Sequence, residues 1–442
     1  MAAYTDTQVM MTLAALAATG ATERPSGEAR DAQAARILRG INAQLAKGNL
    51  ATGNSWTAIW VGLTDSRANL AYLAYNTSNG AYALALRGTM AGSPIDSSED
   101  MEVGLMLPFG AGGMPPTGTL GNISQGAMEA FTDLTMGTEL VPVLMATRLA
   151  APAPLYVTGH SLGGALVTTV SLFLAAAGIA STSSVSPYTF AAPTAGDSNF
   201  ASFFNTQFPS AKCVVNKYDL VPNAWASLTS LVDNHVKDPF YPSPNSIPPA
   251  PKGPGPTATP ANAIGAMIKS VAAGTNGNTY VQPTQQPPLN AGSSPIFLNP
   301  YPPGAQSDMQ KFEMQVGFQH DNNTYLTLLG APTLPAVAPV VAAISPTSGQ
   351  WNGHTTVTIT PPKGVTFSPS SVVDFGIVPA LWASVAADGS SITAVAPQGV
   401  GTVDVRVTNE FGTSPAVPVY PNLSPYNYND QFTFRLLLSS AG

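Results

Sequence analysis

The stretch that decides the fold is Leu155-Tyr-Val-Thr-Gly-His-Ser-Leu-Gly-Gly-Ala-Leu166. Its first four residues are typical of a short buried strand, and residues 164–177 are predicted to form a long helix of small residues. Between them lies a Gly-x-Ser-x-Gly pattern centred on Ser161. A sharp strand-to-helix turn places the serine hydroxyl above the sheet, and flanking glycines avoid clashes with neighbouring backbone. The stretch therefore predicts that Ser161 is a nucleophile.

Strands and helices alternate on both sides of this stretch. Predicted strands occupy 56–63, 70–75, 81–86, 155–158, 188–190 and 212–216, and predicted helices occupy 6–19, 31–47, 123–149, 164–177, 199–208 and 321–329. Such alternation predicts a mainly parallel sheet that helices cover on both faces. We therefore expect an α/β fold.

Two domains are expected, residues 1–335 and residues 336–442. Within the first, residues 239–310 contain a dense proline tract and are predicted to be a long irregular excursion with at most one short helix. A proline-rich linker covers 331–339. Short alternating strands separated by turns begin at residue 340, which is typical of a small all-β sandwich.

Composition excludes several classes of function. Only 9% of the 442 residues are charged, and the net charge is −7. Nucleic-acid binding needs clustered Lys and Arg, so nucleic acid is excluded as a partner. The chain lacks a run of 18 apolar residues, so we expect no transmembrane segment. Contact with a lipid–water interface would have to be hydrophobic, because an acidic protein is not attracted to anionic lipid.

The single cysteine, Cys213, excludes an intramolecular disulfide and a multi-cysteine metal site. It lies in an apolar run and is expected to be a buried core residue. Residues 6–19 have the spacing of an amphipathic helix and lack the pattern of a signal peptide. The sequence does not decide whether the protein is cytoplasmic or secreted without a visible leader. Secretion is slightly favoured.

A nucleophilic serine needs a base, and the base needs an acid to orient it. In hydrolases built around a strand–turn–helix nucleophile, the chain order is serine, acid, histidine. Three histidines follow Ser161, namely His235, His320 and His354. His354 lies beside a turn of the expected sandwich, and His235 precedes the proline tract. His320 precedes the last predicted helix of the first domain, so we favour it over His235; either could instead be a structural histidine.

Asp219 is the expected acid, because it follows the predicted strand at 212–216 and such a loop can reach the base. Asp197 and Asp233 remain alternatives, and Asp219 could instead simply form a turn. The oxyanion of the transition state needs preorganised N–H donors. We expect one from the backbone of Leu162 and the other from the loop at Thr89, unless that loop is a plain strand end.

Four segments together resemble the class 3 (fungal-type) lipases of the α/β-hydrolase superfamily. They are 84–89, 157–166, 188–196 and 215–222, in the order typical of the family. The resemblance spans about 50–330 and implies an α/β-hydrolase sheet covered by helices. It also implies Ser161, Asp219 and His320 as the catalytic triad, and Thr89 and Leu162 as the oxyanion hole. No metal or organic cofactor is needed for this chemistry, and none is expected. The proline-rich stretch between Asp219 and His320 departs from the family pattern.

The same resemblance implies a mobile lid between the oxyanion strand and the next helix, at about 91–122. This interval contains apolar residues among Gly and Pro, which are Met101, Val103, Leu105, Met106, Leu107, Phe109 and Met114. Such a segment can be buried when closed and meet lipid when open. A merely packed loop is the alternative.

The C-terminal part resembles an IPT/TIG immunoglobulin-like domain. The matching segments are 343–349, 353–359, 374–376, 395–399 and 405–412, although Pro361-Pro362 replace the usual glycine after the strand at 355–360. Nothing in this part suggests catalysis. It is expected to bind an unknown surface or partner, or to stabilise the enzyme.

Taken together, the sequence predicts a lipase that hydrolyses carboxylic esters of acylglycerols through an acyl-enzyme on Ser161. One alternative is a carboxylesterase that acts on short-chain or polymeric esters without interfacial activation. The other is a non-catalytic adhesion or binding protein built on a hydrolase fold. The dependence of rate on acyl length separates the first two, and labelling of Ser161 by a fluorophosphonate separates both from the third.

Overall fold

The structure is a computed structural model that describes residues 4–20, 29–64, 69–87, 102–110, 120–150, 153–227, 270–298, 308–334, 338–414 and 430–435. The chain divides into two compact units. The larger unit comprises Met1–Ala18 and Gln44–Leu334, and the smaller comprises Thr19–Ala43 and Pro335–Gly442. Among the described residues, helices long and apolar enough to cross a bilayer are absent.

The larger unit is built on a mixed sheet. Its strands are β1 Trp56–Leu63, β2 Leu70–Asn76, β3 Tyr82–Arg87, β4 Met106–Pro108, β5 Asn122–Ser124, β6 Leu155–His160, β7 Val185–Phe190 and β8 Lys212–Val214. Six of them form one sheet in the order β1-β2-β3-β6-β7-β8, and β4 pairs with β5 separately. The pairings from β3 to β8 are parallel, and β1, β2 and β3 pair antiparallel. The expected α/β fold is therefore confirmed, with an antiparallel extension on one side of the parallel strands.

The described helices are α1 Asp6–Leu16, α2 Arg30–Leu45, α3 Gln125–Met136, α4 Leu140–Ala150, α5 Leu162–Ala176, α6 Ser198–Gln207, α7 Asp308–His320 and α8 Asn322–Leu328. The helical character predicted for 123–149 is confirmed, and two helices occupy this region. They are separated at Gly137, and the Thr138 hydroxyl accepts the Leu140 N–H at the start of the second. The prediction missed α7, whose sequence is rich in glutamine and lacks a clear apolar stripe.

Alternating side chains of β6 hold helices on opposite faces of the sheet. Thr158 donates its hydroxyl to the Met10 carbonyl of α1 at 3.0 Å. The neighbouring Gly159 lies against the first turn of α5. Nearly all of α5 is buried, which explains its composition of small and aliphatic residues. The strand that leads to Ser161 is thereby fixed from both sides.

The smaller unit is all-β apart from α2. Its strands are β9 Ala343–Ser345, β10 Ser348–Gln350, β11 Thr356–Thr360, β12 Val372–Phe375, β13 Val378–Pro379, β14 Trp382–Val385, β15 Ile392–Val395, β16 Gly401–Asn409, β17 Gly412–Thr413 and β18 Gln431–Arg435. They form one sheet in the order β10-β18-β16-β12-β13, with β17 on β16, and another in the order β14-β15-β11-β9. Val357 and Ile392 from one sheet share a core with Phe375, Val407 and Phe432 from the other.

Asp430, at the start of β18, is a fully buried carboxylate. Neither of its oxygens has a hydrogen-bond partner among the described residues. Burial and the nearby charge of Asp404 raise the pKa of Asp430 to about 6. The folded state therefore binds more protons than the unfolded state between about pH 4 and this value, so the stability of the unit falls as pH rises through that window.

Replacing Asp430 with Asn should raise the melting temperature of the smaller unit at pH 7.5 and change it little at pH 4. The reason is that the amide removes the buried charge but keeps the shape of the side chain. Scanning calorimetry at the two pH values measures this difference. The matched control is Asp388→Asn, because the pKa of Asp388 is lowered by hydrogen bonds from Ser390, and this substitution should not stabilise the unit. Equal shifts of the melting temperature by Asp430→Asn at both pH values would contradict a raised pKa of Asp430.

Candidate active site

Ser161 lies in the sharp turn between β6 and α5. Its φ of 57° and ψ of −131° fall in a region that residues with side chains rarely adopt. The turn is held because the Ser161 N–H donates to the Phe190 carbonyl at 2.9 Å, and the Ser161 carbonyl accepts the N–H of Gly164 at 2.8 Å. Strain of this kind amounts to roughly 1–3 kcal/mol and is concentrated at functional sites.

The two glycines of the Gly-x-Ser-x-Gly pattern allow backbones to approach one another closely. A Cβ on Gly159 would lie 2.3 Å from the Gly163 carbonyl oxygen, and one on Gly163 would lie 2.0 Å from the Leu86 carbonyl oxygen. Both distances are far below van der Waals contact. The glycines therefore set the close packing of α5 on β6 and β3, which holds Ser161 at the end of its strand.

Three side chains meet at this turn. The Nε2 atom of His320 lies 2.8 Å from Ser161 Oγ, and its Nδ1 atom lies 2.9 Å from Asp219 Oδ2. Asp219 is fully buried, and its Oδ1 accepts the Val221 N–H at 3.0 Å. With Nδ1–H directed to the carboxylate, Nε2 has a free lone pair for the serine proton. The arrangement can therefore activate the hydroxyl as a nucleophile.

His320 ends α7, and Asp321 caps α8. His320 therefore directly precedes α8 as expected, although it belongs to a helix that the sequence did not predict. The alternative base His235 and the alternative acid Asp233 lie outside the described residues, as does Thr89. Asp197 is the N-cap of α6.

Asp197 accepts the Phe200 N–H at 2.9 Å and the Asn122 side-chain amide at 2.7 Å, so its carboxylate is used in the fold.

His354 belongs to the smaller unit, with a φ of 65°. Leu162 is the first residue of α5, where the helix dipole favours negative charge. Cys213 is buried in β8, which confirms that prediction.

Tyr325 completes the surroundings of the carboxylate. Its hydroxyl donates to Asp219 Oδ2 at 2.9 Å and accepts the Asn216 N–H at 2.9 Å. Burial and the charge of Asp219 raise the pKa of Tyr325 well above its ordinary value, so the phenol keeps its proton and remains a donor. Tyr325 was not predicted as a site residue, since a tyrosine on a short helix carries no local signal of such a role.

His160 packs against the same group, with its ring centroid 4.8 Å from that of His320 and 5.4 Å from that of Tyr325. Burial and the proximity of His320 lower the pKa of His160 well below its ordinary value. The ring is therefore neutral. A neutral neighbour does not repel the positive charge that His320 would acquire on accepting a proton. His160 was not predicted as a site residue either.

The described part of the expected lid is packed into the fold. Phe109 is fully buried and contacts the rings of Phe131 and Phe200 edge-to-face, each at 5.5 Å. The Val103 carbonyl accepts the Tyr280 hydroxyl at 2.8 Å, whereas Leu105 is 52% exposed. The mobile lid stays a prediction, because residues 91–101 and 111–119 lie outside the described part of the chain.

Comparison with known proteins agrees with this geometry. Residues 83–228 match the family model of the class 3 lipases. Over these residues the chain is similar to the class 3 lipases. The protein is a lipase, a serine hydrolase of esters. The sharp turn at Ser161 lies within the matched residues.

No curated protein sequence matches the lipase. Among solved structures, the M37 lipase superposes with a TM-score of 0.57 at 23% identity, covering 74% of this chain and 94% of the M37 chain. Lipase II from Rhizopus niveus gives a TM-score of 0.37 at 19% identity, covering 49% and 74%. A triacylglycerol lipase from Penicillium expansum gives 0.34 at 16% identity, covering 51% and 75%. The likeness to the M37 lipase shows a shared fold.

A Gly163→Ala substitution should destabilise the larger unit by about 1–3 kcal/mol, because the new methyl group forces α5 away from β3. Ester hydrolysis should fall with it, since the Leu162 N–H moves as well. Chemical denaturation and an ester assay measure the two effects. Gly317→Ala is the matched control, because it lies in α7 with no described atom within 4 Å of the added carbon. If the Gly163→Ala protein were as stable and active as the native one, close packing of α5 on β3 at Gly163 would not be required.

Proposed function

We propose that the lipase hydrolyses carboxylic esters of acylglycerols through an acyl-enzyme on Ser161. The observation that carries this proposal is the hydrogen-bonded row Ser161–His320–Asp219, of which Ser161 and Asp219 lie in the residues that match the class 3 lipase model. The row supplies a nucleophile, a base and an oriented acid in the chain order typical of such hydrolases.

In the first half of the reaction, His320 Nε2 takes the proton of Ser161 Oγ while the oxygen attacks the ester carbonyl. The tetrahedral oxyanion is held by the N–H of Leu162 and, we propose, by Thr89; each such donor is typically worth about 3 kcal/mol. The imidazolium then gives its proton to the leaving alcohol. Water then attacks the acyl-enzyme through the same two steps, which releases the fatty acid and restores Ser161.

Asp219 keeps the Nδ1–H tautomer of His320 in place. Its negative charge also stabilises the imidazolium that forms in each half of the reaction. Because the carboxylate is fully buried, it retains this role only while its donors, Val221 N–H and the Tyr325 hydroxyl, remain in position.

Ser161→Ala should abolish hydrolysis of a chromogenic fatty-acid ester and leave the melting temperature nearly unchanged, because only the hydroxyl is lost. A fluorophosphonate probe should label the native enzyme and not this variant. His320→Ala and His235→Ala form a second matched pair, of which only the first should prevent labelling. Retained turnover by Ser161→Ala would overturn the proposed nucleophile.

A second candidate is a carboxylesterase that acts on short-chain or polymeric esters without interfacial activation. The packing of Phe109 favours it, because the described part of the expected lid is anchored in the core. The two candidates differ in how the rate responds to aggregated substrate.

We expect the rate on a medium-chain acylglycerol to rise steeply as the substrate passes its solubility limit, because an apolar surface that opens at the interface would then bind lipid. A pH-stat assay with tributyrin and a longer-chain triacylglycerol measures this. A soluble short-chain ester serves as the control. A rate that saturates below the solubility limit, and that falls with acyl length, would favour the esterase.

We further propose that residues 336–442 form an IPT/TIG immunoglobulin-like domain that binds a surface or partner, or stabilises the enzyme. The two all-β sheets that share one core support this proposal. The third possibility, a non-catalytic binding protein on a hydrolase fold, requires that Ser161 fail to react with the fluorophosphonate.

A further inference from the structure

The chain between Asp219 and His320 returns to the elements that carry both residues. Residues 278–298, named the edge segment here, continue the outer edge of the sheet beyond β8. The Leu289 N–H donates to the Val215 carbonyl at 2.8 Å, and the Leu289 carbonyl accepts the Lys217 N–H at 3.0 Å. The stretch that leads into Asp219 is therefore paired on this side.

The edge segment also holds the chain on both sides of the acid. The Gln282 amide donates to the carbonyls of Ala192 and Pro222, each at 2.8 Å. It thereby joins the loop after β7 to the turn that follows Asp219. Phe297 packs against Tyr218, directly before the acid, with ring centroids 4.9 Å apart and ring planes tilted by 59°. These contacts restrict the one loop whose movement would displace the carboxylate.

Gln319 connects the edge segment to the base and the acid together. It is fully buried and directly precedes His320. Its Nε2 donates to the Ile296 carbonyl at 2.8 Å, and its Oε1 accepts the Asn216 side-chain amide at 2.7 Å. Asn216 in turn donates its backbone N–H to the Tyr325 hydroxyl, which donates to the carboxylate. An unbroken row of hydrogen bonds thus runs from the edge segment to the triad.

We propose that the edge segment is a brace for the catalytic acid and base, and that Gln319 is the positioning residue through which it acts. His320 and Asp219 lie 101 positions apart in the chain, one at a helix end and the other on a loop. A displacement of about 1 Å between such groups can reduce the rate a hundredfold. The inference rests on the proposed roles of Ser161, His320 and Asp219. It gives a function to the edge segment, which lies beyond the family-matched residues 83–228.

The first experiment compares Gln319→Met with Gln315→Met. Gln315 lies one turn earlier on α7, is also fully buried, and makes two hydrogen bonds to the backbone of Leu298 in the same edge segment. Each substitution removes hydrogen bonds to the brace with little change of volume, so both should lower the melting temperature to a similar extent. Only Gln319→Met should lower kcat, by about tenfold and with KM nearly unchanged, because a displaced triad weakens the transition state.

The second experiment is a double-mutant cycle of Gln319→Met with Tyr325→Phe. If Gln319 acts through Asn216 and Tyr325, the two substitutions break one pathway, and the double variant should have a kcat within about twofold of Tyr325→Phe alone. Combining Gln315→Met with Tyr325→Phe should instead multiply the two separate effects. A purely structural role of Gln319 cannot produce the difference between these cycles.

Equal losses of kcat in Gln315→Met and Gln319→Met, or multiplicative effects in both cycles, would overturn the brace. If Gln319→Met does not fold, Asn216→Ser enters the same cycle; it removes the side-chain bond from its other end, together with the bond from the Asn216 amide to the Gln319 carbonyl. Ser161→Ala in the same assay separates the two proposals. Activity in that variant refutes the proposed function, whereas an inactive Ser161→Ala with indistinguishable glutamine variants refutes the brace alone.

Discussion

The structure of the site depends on one buried carboxylate. Asp219 has no access to solvent, so its charge is stable only because donors surround it, namely His320, Tyr325 and the backbone N–H of Val221. Val221 lies two residues after the carboxylate, whereas His320 and Tyr325 follow it by 101 and 106 residues. The need to satisfy this carboxylate therefore fixes the loop after β8, the end of α7 and the start of α8 against each other.

A second constraint acts on the nucleophile. Ser161 is held in a strained conformation by hydrogen bonds to the neighbouring strand and to the first turn of α5. The glycines beside it let α5 pack against β3 and β6 at distances that any side chain would prevent. The nucleophile is consequently rigid, while the acid and base are positioned through side-chain hydrogen bonds. The two halves of the site are built by different means and meet at His320.

The proline-rich excursion illustrates how far local sequence can describe this molecule. Its composition correctly excludes regular helix and strand in the described residues 278–298, apart from the isolated pairing at Leu289. Nothing in that composition shows that Gln282 and Phe297 contact the surroundings of the acid. Such contacts join residues far apart in the chain, so they leave no periodic pattern. The helix α7 was missed for the same reason, since buried glutamines rather than an apolar stripe anchor it.

The sequence by itself determined the α/β alternation, the turn at Ser161 and the all-β character of the C-terminal part, because these follow from short-range periodicity and from the steric demands of glycine. It also placed Asp219 and His320 in an order compatible with catalysis. Only the tertiary structure decided that these side chains lie within hydrogen-bonding distance, and that His160, Tyr325 and Gln319 surround them. The reason is physical. Burial and hydrogen bonding between distant segments depend on the packing of the whole unit, which no local pattern records.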